Sequence, residues 1–119
     1  MTRLVNVPLY RVAHGRTGDK GNRSNISVIA WSPEVWSALQ EQVSEEAVLR
    51  RFAHRHPAKV TRYLLPQLCA MNFVIDGVLD GGVNEALNLD SHGKTLSYHL
   101  LDMNIALPEE LAKRYARDN

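Results

Sequence analysis

Apolar residues come in short bursts along this chain, and the spacing inside each burst predicts the element it builds. Leu9 to His14 alternates, with Tyr10, Val12 and His14 on one side and Leu9, Arg11 and Ala13 on the other, which predicts a strand. Met1 to Pro8 is short and mixed, and Pro8 lacks a backbone donor, so the first strand should start near Leu9 or lie at a sheet edge. Asn25 to Trp31 is nearly all apolar and rich in β-branched residues, the pattern of a central strand covered on both faces. Ser32 and Pro33 then open a helix as N-cap and first helical residue, with Val35, Trp36, Leu39 and Val43 at helical spacing. Ser44 restarts the pattern as a second N-cap, followed by Glu45 and Glu46, whose carboxylates suit the positive helix end. Val48, Leu49 and Phe52 give this helix its stripe, and Pro57 ends it.

Lys59 to Leu65 reads as a third strand closed by Pro66. Leu68, Met71, Ile75, Val78 and Leu79 recur at steps of three and four, predicting a helix that Asp80-Gly81-Gly82 terminates. Val83 to Leu89 and Lys94 to Met103 flank a turn at Asp90-Ser91-His92-Gly93, a hairpin signal. Pro108 and Glu109-Glu110 open a last short helix that ends in Lys113, Arg114 and Arg117. Strands and helices do not alternate strictly, which argues against a purely parallel sheet. The expected fold is α+β: one domain over residues 1–119, a two-layer sandwich with helices on one face of a mainly antiparallel sheet.

Composition narrows the function classes. Fourteen basic residues nearly cancel thirteen acidic ones across 119 residues, and no Lys/Arg-rich block occurs, so no strong nucleic-acid footprint is expected. Tyr10, Trp31 and Tyr63 are the aromatics on the expected strands, without the pattern of an RNA-reading sheet. Cys69 is the single cysteine and has apolar neighbours, so a reduced, cytoplasmic setting and a packing role are expected, with no activated thiolate. No signal segment or apolar run long enough to span a bilayer is recognised.

Candidate chemistry concentrates between the first two strands, in His14-Gly15-Arg16-Thr17-Gly18-Asp19-Lys20-Gly21-Asn22-Arg23-Ser24-Asn25. The stretch is read as a functional loop of about ten residues, longer than a usual hairpin connection. Its glycines would turn backbone amides inward, and Arg16, Lys20 and Arg23 would hold a phosphate or carboxylate. It matches no P-loop, because Lys20 is followed by Gly21 and a strand. The structural alternative has Asp19 and Asn22 capping a turn, with Gly18 and Gly21 supplying positive φ. His14 ends the first strand beside this loop and has the chemistry of an acid or base near neutral pH.

Asn72 sits between Met71 and Phe73 on the expected apolar helix, where its amide needs a partner in loop backbone or ligand, with Asp76 on the same side at i+4. The remaining histidines, at 54, 56, 92 and 99, do not form a metal-ligand pattern, and no metal or cofactor is implied. Apolar surface in Ile26 to Trp31, Leu96 to Ile105 and the expected 68–79 helix exceeds what a small two-layer domain covers, so a homo-oligomer is expected.

Arg16-Thr17-Gly18-Asp19-Lys20-Gly21-Asn22, Asn25-Ile26-Ser27-Val28-Ile29-Ala30, Tyr63-Leu64-Leu65-Pro66-Gln67-Leu68, Asn72-Phe73-Val74 and Gly81-Gly82-Val83 resemble, in order and spacing, the AtuA-like ferredoxin-fold domain. The resemblance runs from about Val12 to Met103, with Asn22-Arg23-Ser24 standing where more typical members carry other small or polar residues. It implies a ferredoxin-like sandwich, related to the C-terminal domain of acyclic terpene utilisation proteins. It also implies an accessory role beside a larger AtuA-like subunit in acyl-CoA or terpenoid breakdown, and brings no established catalytic residue. The competing expectation is a small enzyme or binding protein in which Arg16, Thr17, Gly18, Lys20, Gly21, Asn22, Asn25 and Asn72 surround a CoA-type or carboxylate anion, with Asp19 or His14 as acid or base.

Overall fold

The computed structural model describes residues 3–20, 23–53, 57, 59–76 and 96–117. Two antiparallel sheets hold them. Strands β1 (Leu4–Pro8) and β6 (Asn104–Pro108) pair with each other, and β2 (Ala13–Lys20), β3 (Arg23–Ala30), β4 (Lys59–Leu65) and β5 (Ala70–Asp76) form a sheet in the order β2-β3-β5-β4. Among the described residues there are four short α-helices: α1 (Trp36–Gln42), α2 (Glu45–Arg51), α3 (96–101) and α4 (Glu109–Tyr115).

From β3 to β6 the described elements read strand, helices, strand, strand, helix, strand, the element order of the ferredoxin-like fold. β5 lies between β3 and β4, so the α1–α2 connection crosses over a strand to reach β4. The last strand leaves the sheet to pair with β1, and β2 occupies the place beside β3. Along β3 and β5 burial alternates, with Ile26, Val28, Met71, Phe73 and Ile75 fully buried and Asn25, Ser27, Asn72 and Val74 at least partly exposed. The buried set joins Leu39, Val48 and Phe52 of the helical layer in one core, while the opposite sheet face stays open. The central strand β3 is therefore covered on one face and not on two.

Several sequence expectations hold. β4 spans Lys59 to Leu65 as read, Ser44 accepts a hydrogen bond from the Ala47 N–H at 3.1 Å as the N-cap of α2, and α4 opens at Glu109. Ser32-Pro33 opens a 3-10 turn over Pro33–Val35 that leads into α1.

Other expectations are corrected. The first strand is Leu4–Pro8, and Leu9–Arg11 is a 3-10 turn whose Leu9 N–H donates to the Met103 carbonyl at 2.7 Å. Pro8 ends β1 with an extended backbone, where a missing donor is tolerated. The expected helix from Leu68 is strand β5. Pro66–Leu68 is one 3-10 turn, and Cys69 takes a left-handed conformation, φ 51°, that reverses the chain into a β4–β5 hairpin. The expected strand from Lys94 to Met103 is helical over 96–101, because Leu96, Leu100 and Leu101 bury together at helical spacing while Tyr98 stays exposed. The Gly81-Gly82 stop, the Val83 to Leu89 strand and its turn lie outside the described residues.

Gln42, the last residue of α1, ties that helix to the β1–β6 sheet. Its amide donates to the Ala106 carbonyl and accepts from the Ala106 N–H, both at 2.7 Å, as a further strand would. Gln42→Ala strands both backbone groups in a partly buried place and should cost about 1–3 kcal/mol in chemical denaturation. An unchanged midpoint would show that water replaces the amide.

Candidate functional site

The charge-dense stretch is a hairpin, not a loop. β2 and β3 pair over eight residues, from Ala13↔Ala30 to Lys20↔Arg23, leaving only Gly21 and Asn22 between them in sequence, and both lie outside the described residues. Glycine and charge have low strand propensity, yet β2 is a sheet edge, where polar side chains are tolerated and discourage further pairing.

The pleat then distributes the candidate residues. Thr17 faces the core side beside Ile26, and its Oγ1 is buried without a hydrogen-bond partner among the described residues. Arg16, Gly18, Asn25 and Asn72 occupy the open face. There the Asn72 amide donates to the Ser27 hydroxyl at 3.0 Å, which satisfies it across the β3–β5 pair. Asp76 shares that face, as expected, and accepts from Arg23 Nε at 2.7 Å. That carboxylate raises the Arg23 pKa above its ordinary value. The Asn25 side chain lies where a Cβ on Gly18 would stand, and Ser24 Oγ donates to the Gly18 carbonyl at 3.2 Å. Asp19 and Lys20 take their places in the β2 ladder, opposite Ser24 and Arg23.

Among the described residues, His14 is the sequence candidate that lines a cleft. Its imidazole stacks on the Trp31 indole, with centroids 4.2 Å apart and planes 30° from parallel. The cleft encloses about 720 Å³, and its walls include Tyr10, His14, Trp31, Tyr98, Leu101 and Asp102. The Arg117 guanidinium lies 3.8 Å from the Trp31 ring centroid, and the Arg117 backbone is bonded both ways to Arg11, at 2.6 and 2.7 Å. His99, also in the wall, is committed: Nε2 is 2.9 Å from the Arg51 carbonyl and its ring meets Phe52 edge-on.

Sequence reading did not single out Trp31, Tyr98 or Asp102 as site residues. Trp31 directly follows β3, so strand periodicity does not place its ring, and Tyr98 and Asp102 come into the wall only once 96–101 is helical. Among the described residues no cluster of three metal-ligating side chains occurs, and no helix is long and apolar enough to cross a membrane.

Fold and cleft together define a small ferredoxin-like α+β module with an aromatic recess beside the edge strand β2. The chain belongs to the AtuA ferredoxin-like domain family, whose family model matches residues 7–106. No curated protein and no solved structure matches the chain.

Proposed function

We propose that the protein is a cytoplasmic accessory module of an AtuA-like system, acting in acyl-CoA or terpenoid breakdown by docking on a larger AtuA-like subunit. The observation that supports this is the apolar end of β4. Tyr63, Leu65 and Leu68 are 56%, 46% and 68% exposed, and Leu64 adjoins them. Tyr63 and Leu65 share the open face at this sheet edge and Leu68 follows in the turn, while Leu64 faces the α2 side, so the end of β4 offers apolar side chains of the kind that mark a protein contact. Leu96, Leu100, Leu101 and Ile105, which the sequence offered as interface material, are consumed by the core, so the contact is assigned to β4.

Glu45 shapes that contact. Its carboxylate accepts from the outward Arg62 N–H at 2.7 Å, which blocks strand addition at the middle of β4. Docking therefore relies on side chains, and in the absence of the larger subunit the same patch pairs two copies of this chain. The anion-holding alternative has less to rest on, since Arg16 and Thr17 point to opposite sheet faces and Arg23 is held by Asp76.

Co-expression with a larger AtuA-like protein, followed by affinity purification at micromolar concentration, tests the reading. Wild type should co-purify, and Leu65→Asp combined with Leu68→Asp should abolish recovery while leaving thermal unfolding nearly unchanged. Failure of wild type to associate, or undiminished association of the double variant, rejects it.

A further inference from the structure

We propose that the Trp31 cleft is a binding site for a planar organic cation, an amidinium or guanidinium attached to a flat ring. The cleft opens beside β2, at the far edge of the sheet from β4, so this assignment stands independently of the docking surface.

Size, wall chemistry and charge lead to the same ligand. About 720 Å³ falls within the range of small-molecule sites, which runs from roughly 300 to 1,000 Å³. Tyr10, His14, Trp31, Tyr98 and His99 bring rings to the wall, and aromatic faces carry the negative side of the ring quadrupole. Such faces attract flat groups, and cations more than neutral ones. Asp102 adds a carboxylate, and among the described residues neither lysine nor arginine lines the cleft. The contact of Asp102 with Arg51 is long, 4.0 Å, and its side chain is 69% exposed, so its oxygens retain room for the paired N–H donors of an amidinium.

Trp31 itself supplies the remaining observation. Its indole already receives a guanidinium from Arg117 at 3.8 Å, well inside cation–π range, although Arg117 is not part of the cleft wall. Trp31 is engaged by that guanidinium and by the stacked His14 imidazole, so an entering cation is left to the exposed Tyr98 ring and the Asp102 carboxylate.

Calorimetric titration of the full chain with benzamidine, benzamide and benzoate tests the proposal, since the three share one ring and differ in charge. Benzamidinium should bind with a Kd of ~1 mM or tighter. Benzamide should bind about fivefold more weakly, and benzoate should give no measurable heat. Asp102→Asn should weaken benzamidinium about tenfold and leave benzamide unchanged. Tyr98→Ala should weaken both ligands. Tyr98 and Asp102 are largely exposed, so both variants should fold as wild type does. N-acetylarginine amide, a guanidinium without a ring, should bind more weakly than benzamidinium, and tighter binding would overturn the requirement for a flat ring. Benzoate binding as well as benzamidinium, no effect of Asp102→Asn, or no binding by any of the four compounds overturns the proposal.

Discussion

Phe73→Ala should lower the stability of the fold by about 3–5 kcal/mol, a large share of the 5–15 kcal/mol that keeps a typical domain folded. Phe73 is fully buried on β5, paired in register with Ile26 of β3 on one side and Arg62 of β4 on the other. Truncation empties the middle of the sheet's covered face, where close-packed neighbours cannot fully collapse into the space. The neighbouring change Val74→Ala should cost about 1 kcal/mol or less, because that side chain lies on the open face.

The pair of variants also separates strand from helix. On a helix whose stripe is Leu68, Met71 and Ile75, position 73 would face about 140–160° away from those residues, and its truncation would matter little. On a strand, Phe73 shares the buried face with Met71 and Ile75. Urea unfolding of both variants decides between them, and a Phe73→Ala loss below about 1 kcal/mol would refute the strand assignment.

That ambiguity shows what the sequence could reveal. Met71 and Ile75 are four apart, a spacing that satisfies a helical stripe and a strand face equally well. What settles the matter is the left-handed turn at Cys69, a conformation uncommon outside glycine and therefore invisible in composition. Lys59 to Leu65 was legible because two prolines bound a β-branched and aromatic run. Ser44 and Glu109 were legible because capping and dipole effects act within one turn.

The candidate site was harder to read for a related reason. Eight paired residues of β2 are polar, small or glycine for most of their length, and backbone pairing with β3 holds them without help from side-chain propensity. Reading them as a loop placed His14, Arg16, Thr17 and Asn25 around one point. The ladder instead sends Thr17 to the covered face and Arg16 and Asn25 to the open one. His14 reaches the cleft because it lies near the start of β2, where Trp31 has just left β3 and can stack on it. The aromatic recess is thus a consequence of register, and a one-residue slip would remove it.

Gly15 is where that register is most exposed to test. A Cβ built there would run into the Ser27 carbonyl oxygen, a backbone atom of the paired strand, with Leu101 Cδ1 3.7 Å away. Backbone in a ladder cannot rotate aside as a side-chain tip can, so Gly15→Ala must push β2 from β3. Overpacking of this kind costs about 1–3 kcal/mol, against the roughly 0.4–1 kcal/mol that alanine gains by restricting the unfolded chain. Gly18→Ala is the matched control, because its Cβ would meet the Asn25 Oδ1 at 2.5 Å, an atom at the end of a side chain on the open face. Turning that amide removes the clash, so Gly18→Ala should be near neutral. The Gly15 variant should also disturb the His14–Trp31 stack one residue away, visible as a shift in tryptophan emission that Gly18→Ala lacks. Equal urea midpoints for the two variants would mean that β2 yields freely at Gly15, and that the recess is not fixed by the hairpin.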